Sequence, residues 1–146
     1  MNQEIGIRAA SREDLKNVYE IEKACFKRPY PFAFLGFLYN INGRTFLVAE
    51  KSGTVVGFVI ASAEKGLGRI ISIATHPTQR KREIGRMLMT EVLKVLVALG
   101  MKVVRLEVRK SNIEAQRFYE FLGFKSSHTV DKYYGDEDAL VYFKLI

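Results

Sequence analysis

The period of the apolar positions changes several times along the chain, and each change predicts an element. Ile5-Gly6-Ile7-Arg8-Ala9 alternates as a short edge strand. Ser11, with Asp14 three residues on, predicts a capped helix start; Leu15, Val18, Tyr19, Cys25 and Phe26 recur at helical spacing as its buried face. Lys27-Arg28-Pro29-Tyr30-Pro31 ends that helix, and a second aromatic-rich helical stretch covers residues 33–39. Residues 45–50 and 54–60 then flank Lys51-Ser52-Gly53 as a hairpin. A turn over Gly66 to Gly68 leads into a strand over 69–75, closed by His76-Pro77. Ile84, Leu88, Val92, Val95 and Leu99 mark the inner face of a long helix, with Gly100 at its C′ position. Residues 101–108 form a strand rich in β-branched side chains. Asn112 opens a short helix carrying Ala115, Phe118, Tyr119 and Leu122 on one side and stopped by Gly123, and strands over 124–134 and 139–146 finish the chain. The order β-α-α-β-β-β-α-β-α-β-β predicts an α/β protein, a mixed sheet with helices on its faces.

Length and composition narrow the class. At 146 residues, 48% hydrophobic and 27% charged, the chain is expected to fold as a single domain over 1–146. No apolar run approaches the roughly 20 residues of a membrane span, and the N-terminus lacks the apolar block of a signal peptide. The expectation is a cytoplasmic protein with no membrane partner. One cysteine and two histidines exclude an internal disulfide and argue against a metal site. Cys25 reads as a small core residue, and His76 and His128 as solvated loop or turn residues.

The net charge of +7 favours a polyanionic partner, and its distribution says more than its sum. Arg80, Lys81, Arg82 and Arg86 stand within seven residues, whereas Asp131, Asp136, Glu137 and Asp138 make the tail acidic. Charge concentrated at one point argues for a phosphorylated ligand and against nucleic acid. The cations lie between a buried strand and a helix N-terminus, where unsatisfied backbone N–H groups attract anions. Neither a Walker loop nor a dinucleotide fingerprint is present. On the residues alone, a solvated basic loop and an anion site both fit.

Three segments carry a resemblance. Arg80-Lys81-Arg82-Glu83-Ile84-Gly85 resembles the acetyl-CoA signature [QR]-x-x-G-x-[GA] of the GNAT acyltransferase superfamily. The run LEVRKSNIEAQRFYEFLGF, residues 106–124, resembles the next motif of that superfamily, and KYYGDEDALVY, residues 132–142, is similar to the ending of the RimI/Ard-like protein N-terminal acetyltransferases. The resemblance implies the GNAT acyl-CoA N-acyltransferase fold and acetyl-CoA as co-substrate. It implies that Ile73, Ala74 and Thr75 face the pantetheine arm in a gap between splayed strands. Arg80, Lys81, Arg82, Glu83, Ile84, Gly85 and Arg86 would wrap the pyrophosphate, with Asn112 and Tyr119 nearer the sulfur. One departure stands out: Glu83 replaces the first signature glycine, and an outward-pointing side chain is expected there.

The implied reaction is attack of an amine on a thioester, which needs a proton acceptor and a donor for the leaving thiolate. Glu107 lies in an apolar strand, where a carboxylate is costly without a task or a partner. The resemblance makes it the general base and Tyr119 the general acid; the residues also fit an ion-paired glutamate, with Arg105 and Arg109 on its face. Tyr30, Tyr133 and Tyr134 resemble residues that hold a peptide N-terminus, and also fit ordinary aromatic packing. Protein or peptide N-termini are thus the expected acceptor. An α-amine, with a pKa near 7.7–8.0 against about 10.4 for lysine, demands less from a base. A ribosome or auxiliary-subunit partner stays open. So do a lysine or small-amine (polyamine-like) acetyltransferase and a non-catalytic CoA- or nucleic-acid-binding module.

Overall fold

The chain's first turn is built around one carboxylate. The Ser11 N–H and hydroxyl donate to Asp14 Oδ2 at 2.7 and 3.1 Å, and Arg8 of the first strand grips the same group at 2.7 and 3.0 Å. The capped start is therefore present, although its first turn is a 3₁₀ turn, Arg12–Asp14. This is seen in a computed structural model that describes residues 4–80 and 82–146. The first strand is β1 (Ile5–Ala9), and the turn leads into α1 (Leu15–Cys25) and then α2 (Phe32–Ile41). Buried on α1 are Leu15, Val18, Ile21 and Glu22, whereas Tyr19, Cys25 and Phe26 are only half-buried. The expected face is thus rotated, and it carries a charge.

Among the described residues, seven strands form one sheet. They are β1, β2 (Phe46–Lys51), β3 (Thr54–Glu64), β4 (Leu67–Thr75), β5 (Val103–Arg109), β6 (Lys125–Val130) and β7 (Ala139–Leu145), in the order β1-β2-β3-β4-β5-β7-β6. Two-residue turns join β2 to β3 and β3 to β4. Ser52 and Gly53 have φ of 52° and 80°, Lys65 and Gly66 50° and 82°, the positive pair that matches hairpin twist. The second turn is thus Lys65-Gly66, not Gly66 to Gly68. Gly68 lies inside β4, where a Cβ would stand 3.0 Å from a Leu96 methyl.

Every strand pairing is antiparallel except β4 with β5. The crossover between those two is α3 (Arg82–Ala98). Its Ile84, Leu88, Met89, Val92 and Leu96 bury against Val104, Leu106, Phe124 and Tyr142. Leu96 therefore takes the core position expected for Val95, because the full 3.6-residue turn carries the stripe one residue further. Gly100 follows with φ of 87°, a conformation that favours glycine. Helix α4 (Ile113–Phe121) begins at Asn112, whose Oδ1 accepts the Ala115 N–H at 3.1 Å. On the opposite face α1 and α2 pack over Phe46, Phe58 and Ile60. The strand expected over 124–134 ends at Val130, so Tyr133 and Tyr134 lie in the β6–β7 connection, and His128 sits exposed in β6 rather than in a turn.

Leu88, with none of its surface exposed, is a keystone of the α3 interface. Leu88→Ala is expected to lower the unfolding free energy by about 2–5 kcal/mol, read as a drop in the urea midpoint at unchanged slope.

Candidate active site

Strands β4 and β5 pair over three rungs only, Leu67–Val103, Gly68–Val104 and Arg69–Arg105. Beyond them β4 runs on to Thr75, held by β3, and β5 to Arg109, held by β7. The cause lies next door. The β3–β4 register shifts between Ile60 and Ala61, so that Ser72 and Ile70 oppose consecutive residues and Ile71 is extra. A bulge bends its strand, and β4 turns away from β5 just past the last shared rung. Backbone groups on the facing edges are left for another partner.

A cleft of about 670 Å³ occupies this gap. Ile73, Ala74, Thr75, Arg80, Gly85, Asn112 and Tyr119 line one part of it, and Glu107, Tyr30 and Tyr134 another. Three residues expected at the pyrophosphate do not line it. Glu83 and Arg86 are exposed on the first turns of α3, and Ile84 is buried in the core. Lys81 lies outside the described residues, and Arg82 is described only as the first residue of α3. Gly85 is required by packing: a Cβ there would meet the Phe118 ring at 2.9 Å, so glycine lets α3 and α4 approach beside the gap. Cys25, half-buried against the α1–α2 side of the core, also lines the cleft, its thiol 3.3 Å from the Thr75 carbonyl oxygen.

Two of the carboxylates that line this space stand in opposite surroundings. Glu107 lies two residues past the last shared rung. Its Oε1 accepts from Arg69 Nε and Nη2 at 3.0 and 2.7 Å, and its Oε2 from Arg105 Nε at 2.6 Å. Burial pushes this carboxyl up, but the Arg105 and Arg69 guanidiniums outweigh it and hold it below the usual range. The arginine expected beside it, Arg109, instead pairs with Asp136 at 3.0 Å and Glu137 at 3.3 Å. The other carboxylate is Glu22. It accepts from the Tyr30 N–H at 2.9 Å and the Ser72 hydroxyl at 3.1 Å, both neutral donors. Burial raises its pKa, and these two hydrogen bonds only partly offset the shift.

The tyrosines divide. Tyr30 packs on Phe34 with ring centres 5.0 Å apart, and Tyr134 lies under the Arg109 guanidinium at 4.4 Å. Tyr133 stands outside the cleft wall, its hydroxyl donating to Glu107 Oε1 at 3.2 Å and accepting from Arg69 at 2.6 Å. Across the opening, Lys27 reaches Asp136 at 3.1 Å and Arg28 donates to the Tyr134 carbonyl oxygen at 3.0 Å. These contacts join the α1–α2 connection to the β6–β7 connection. Burial raises the pKa of Tyr119, keeping its phenol protonated. No group of three metal-ligating side chains occurs among the described residues.

The pattern of the Acetyltransferase (GNAT) family matches residues 15–124. The chain belongs to this family. A relative named as an uncharacterised N-acetyltransferase of Methanocaldococcus jannaschii is 38% identical, over 94% of this chain and 90% of its own. An N-alpha-acetyltransferase of Sulfurisphaera tokodaii is 31% identical over the same shares. The crystal structure of Ard1 from Thermoplasma volcanium superposes with a TM-score of 0.93 at 31% identity, covering 97% of each chain. The parted strands, the crossover helix and the loop before it are thus a GNAT arrangement.

Two residues of this GNAT site escape the sequence reading. Glu22 carried a signal, since it follows Leu15 and Val18 at the spacing of the buried face, where a charge needs a reason. Arg69 carried none, because its partner is 38 residues away and only strand pairing brings them together. Glu22 also yields a prediction. A carboxyl whose folded pKa is raised binds its proton more tightly in the native state, so stability is highest below the ordinary glutamate value of about 4.3 and falls as pH rises through the folded value. Wild type is therefore expected to lose urea stability relative to Glu22→Gln as pH increases from 4 to 8. A constant difference between the two over that range would contradict the buried, uncompensated carboxylate.

Proposed function

We propose that this protein, acting as one domain over residues 1–146, transfers the acetyl group of acetyl-CoA to the N-terminal α-amine of proteins or peptides. The observation that carries the reading is one cleft lined by residues of the β4–β5 gap, by Tyr30 and Tyr134 of the two connections, and by Glu107. Relatives named N-alpha-acetyltransferase support the acceptor. The gap fits the pantetheine arm because β4 beyond Arg69 has an edge without a strand partner. Ile73, Ala74 and Thr75 present that edge. Arg80 and the backbone N–H groups at the start of α3 would meet the phosphates, and Asn112 the amide groups.

Acetyl-CoA supplies an activated thioester carbonyl. Glu107 takes the proton of the attacking amine, directly or through water, and Tyr119 gives one to the departing sulfur. A carboxylate held ionised by two arginines is a weak base. That weakness is compatible with an α-amine, roughly a tenth of which is already neutral at pH 7, and poorly suited to a lysine. Tyr30 and Tyr134 flank the acceptor's backbone, and Tyr133 braces Glu107 from outside. Glu83 keeps its charge in solvent, where it suits a first helical turn. The reading places the enzyme in the cytoplasm, with the ribosome or an auxiliary subunit presenting the N-termini.

Glu107→Gln is expected to lower turnover by about 10- to 1000-fold while acetyl-CoA affinity, measured by calorimetry, stays near wild type. Blocking the peptide α-amine should abolish transfer even when a lysine remains. Robust acetylation of a blocked, lysine-containing peptide would instead establish the side-chain amine as acceptor.

A further inference from the structure

The charge balance is uneven beside Tyr133, just outside the cleft wall. Arg69 and Arg105 form the last rung that β4 shares with β5, on the same sheet face as Glu107. Glu107 is the one carboxylate within ion-pair reach of either among the described residues. Two guanidiniums against one carboxylate leave a surplus positive charge. The pair is also accessible, the Arg69 side chain being 43% exposed and that of Arg105 32%. Arg69 uses Nε and Nη2 for Glu107 and Tyr133, which leaves the two N–H groups of Nη1 unengaged. Arg105 uses only Nε and lies over the Phe143 ring, centre to cation 5.8 Å. Among the described residues no acidic residue of the neighbouring connection forms an ion pair with these arginines; Asp136 and Glu137 are engaged by Lys27 and Arg109, and Asp138 accepts the Lys132 N–H.

We infer that Arg69 and Arg105 receive an acidic side chain close behind the acceptor's α-amine, so that the enzyme selects N-termini with Asp or Glu at the second or third position. The inference rests on the α-amine reading and adds the substrate class to it. Reach supports it. The arginine rung lies two residues from Glu107 along β5, and strands and extended peptides both advance by about 3.3 Å per residue. A peptide whose amine meets Glu107 and whose chain runs away from the thioester brings its second or third side chain beside this rung. A carboxylate there receives N–H donors in the forked geometry that guanidinium offers. A lysine or arginine in its place meets a surplus of like charge.

The test uses three peptides with free α-amines that differ only at the second residue, Asp, Asn or Lys, a matching set varied at the third, and an N-terminally blocked lysine peptide. Wild type is expected to show kcat/KM higher by about tenfold or more for Asp over Asn at one of the two positions, with Lys lowest, carried mainly by KM. Arg69→Gln and, separately, Arg105→Gln should shrink the Asp-to-Asn ratio, whatever either does to kcat. Equal rates for the Asp and Asn peptides at both positions would overturn the inference and leave the α-amine reading standing. So would variants that slow every peptide by the same factor, since the arginines would then only hold Glu107. Acetylation confined to the blocked lysine peptide would overturn both.

Discussion

Strands β4 and β5 are hydrogen-bonded over three rungs and then part, and almost everything functional in this protein depends on that parting. Each strand keeps its other neighbour along its length, β3 for β4 and β7 for β5, so the sheet stays intact on both sides of the gap. The extra residue at Ile71 turns β4 aside. Helix α3, packed under the sheet by Leu88 and Leu96, and α4, held close to it by Gly85 against Phe118, fix the gap from one face. From the other face α1 and the two connections close over it. The cleft is thus set by backbone pairing, and side chains tune it.

Tuning is mostly electrostatic. Glu107 and Glu22 are the same residue type near one cavity, yet one is held ionised by two arginines and the other is buried against neutral donors. The first suits contact with a cationic amine. The second ties the start of the tyrosine-bearing connection, through the Tyr30 N–H, to Ser72 beside the bulge in β4. Around the opening, cations of the α1–α2 connection and the end of β5 meet anions of the β6–β7 connection, which places Tyr30 and Tyr134 about one entrance. Two residues of the acidic tail, Asp136 and Glu137, therefore pair within the molecule. In the sequence, the basic group Arg80, Lys81, Arg82 and Arg86 is opposed by Glu83 alone, and that local imbalance favours a phosphate ligand.

Features written in short stretches of sequence were legible: the Asn112 cap, the glycine after α3, the β2–β3 hairpin, and the junction where a strand meets a basic helix start. The three resembling segments extended that reading to the family and to most of the cleft wall. What failed was set by contacts between distant residues. Arg109 and Arg69 exchanged roles because strand register, not sequence proximity, decides which guanidinium faces Glu107. Cys25 packs on the core as expected, but its place in the cleft wall went unread because its partner is Thr75, 50 residues away. The strand expected through Tyr134 stopped at Val130, since the ion pairs that hold the following connection come from elsewhere in the chain.

Acetyl-CoA bound in the gap between β4 and β5 would lie against the edge of β4 that β5 leaves unpaired. Amide hydrogen exchange with and without acetyl-CoA tests this placement most directly. Binding is predicted to slow exchange in β4 beyond the last shared rung, residues 70–75, and at the start of α3, while β1, β2 and the far end of α3 keep their rates. Protection elsewhere, with residues 70–75 unchanged under saturating acetyl-CoA, would contradict the account.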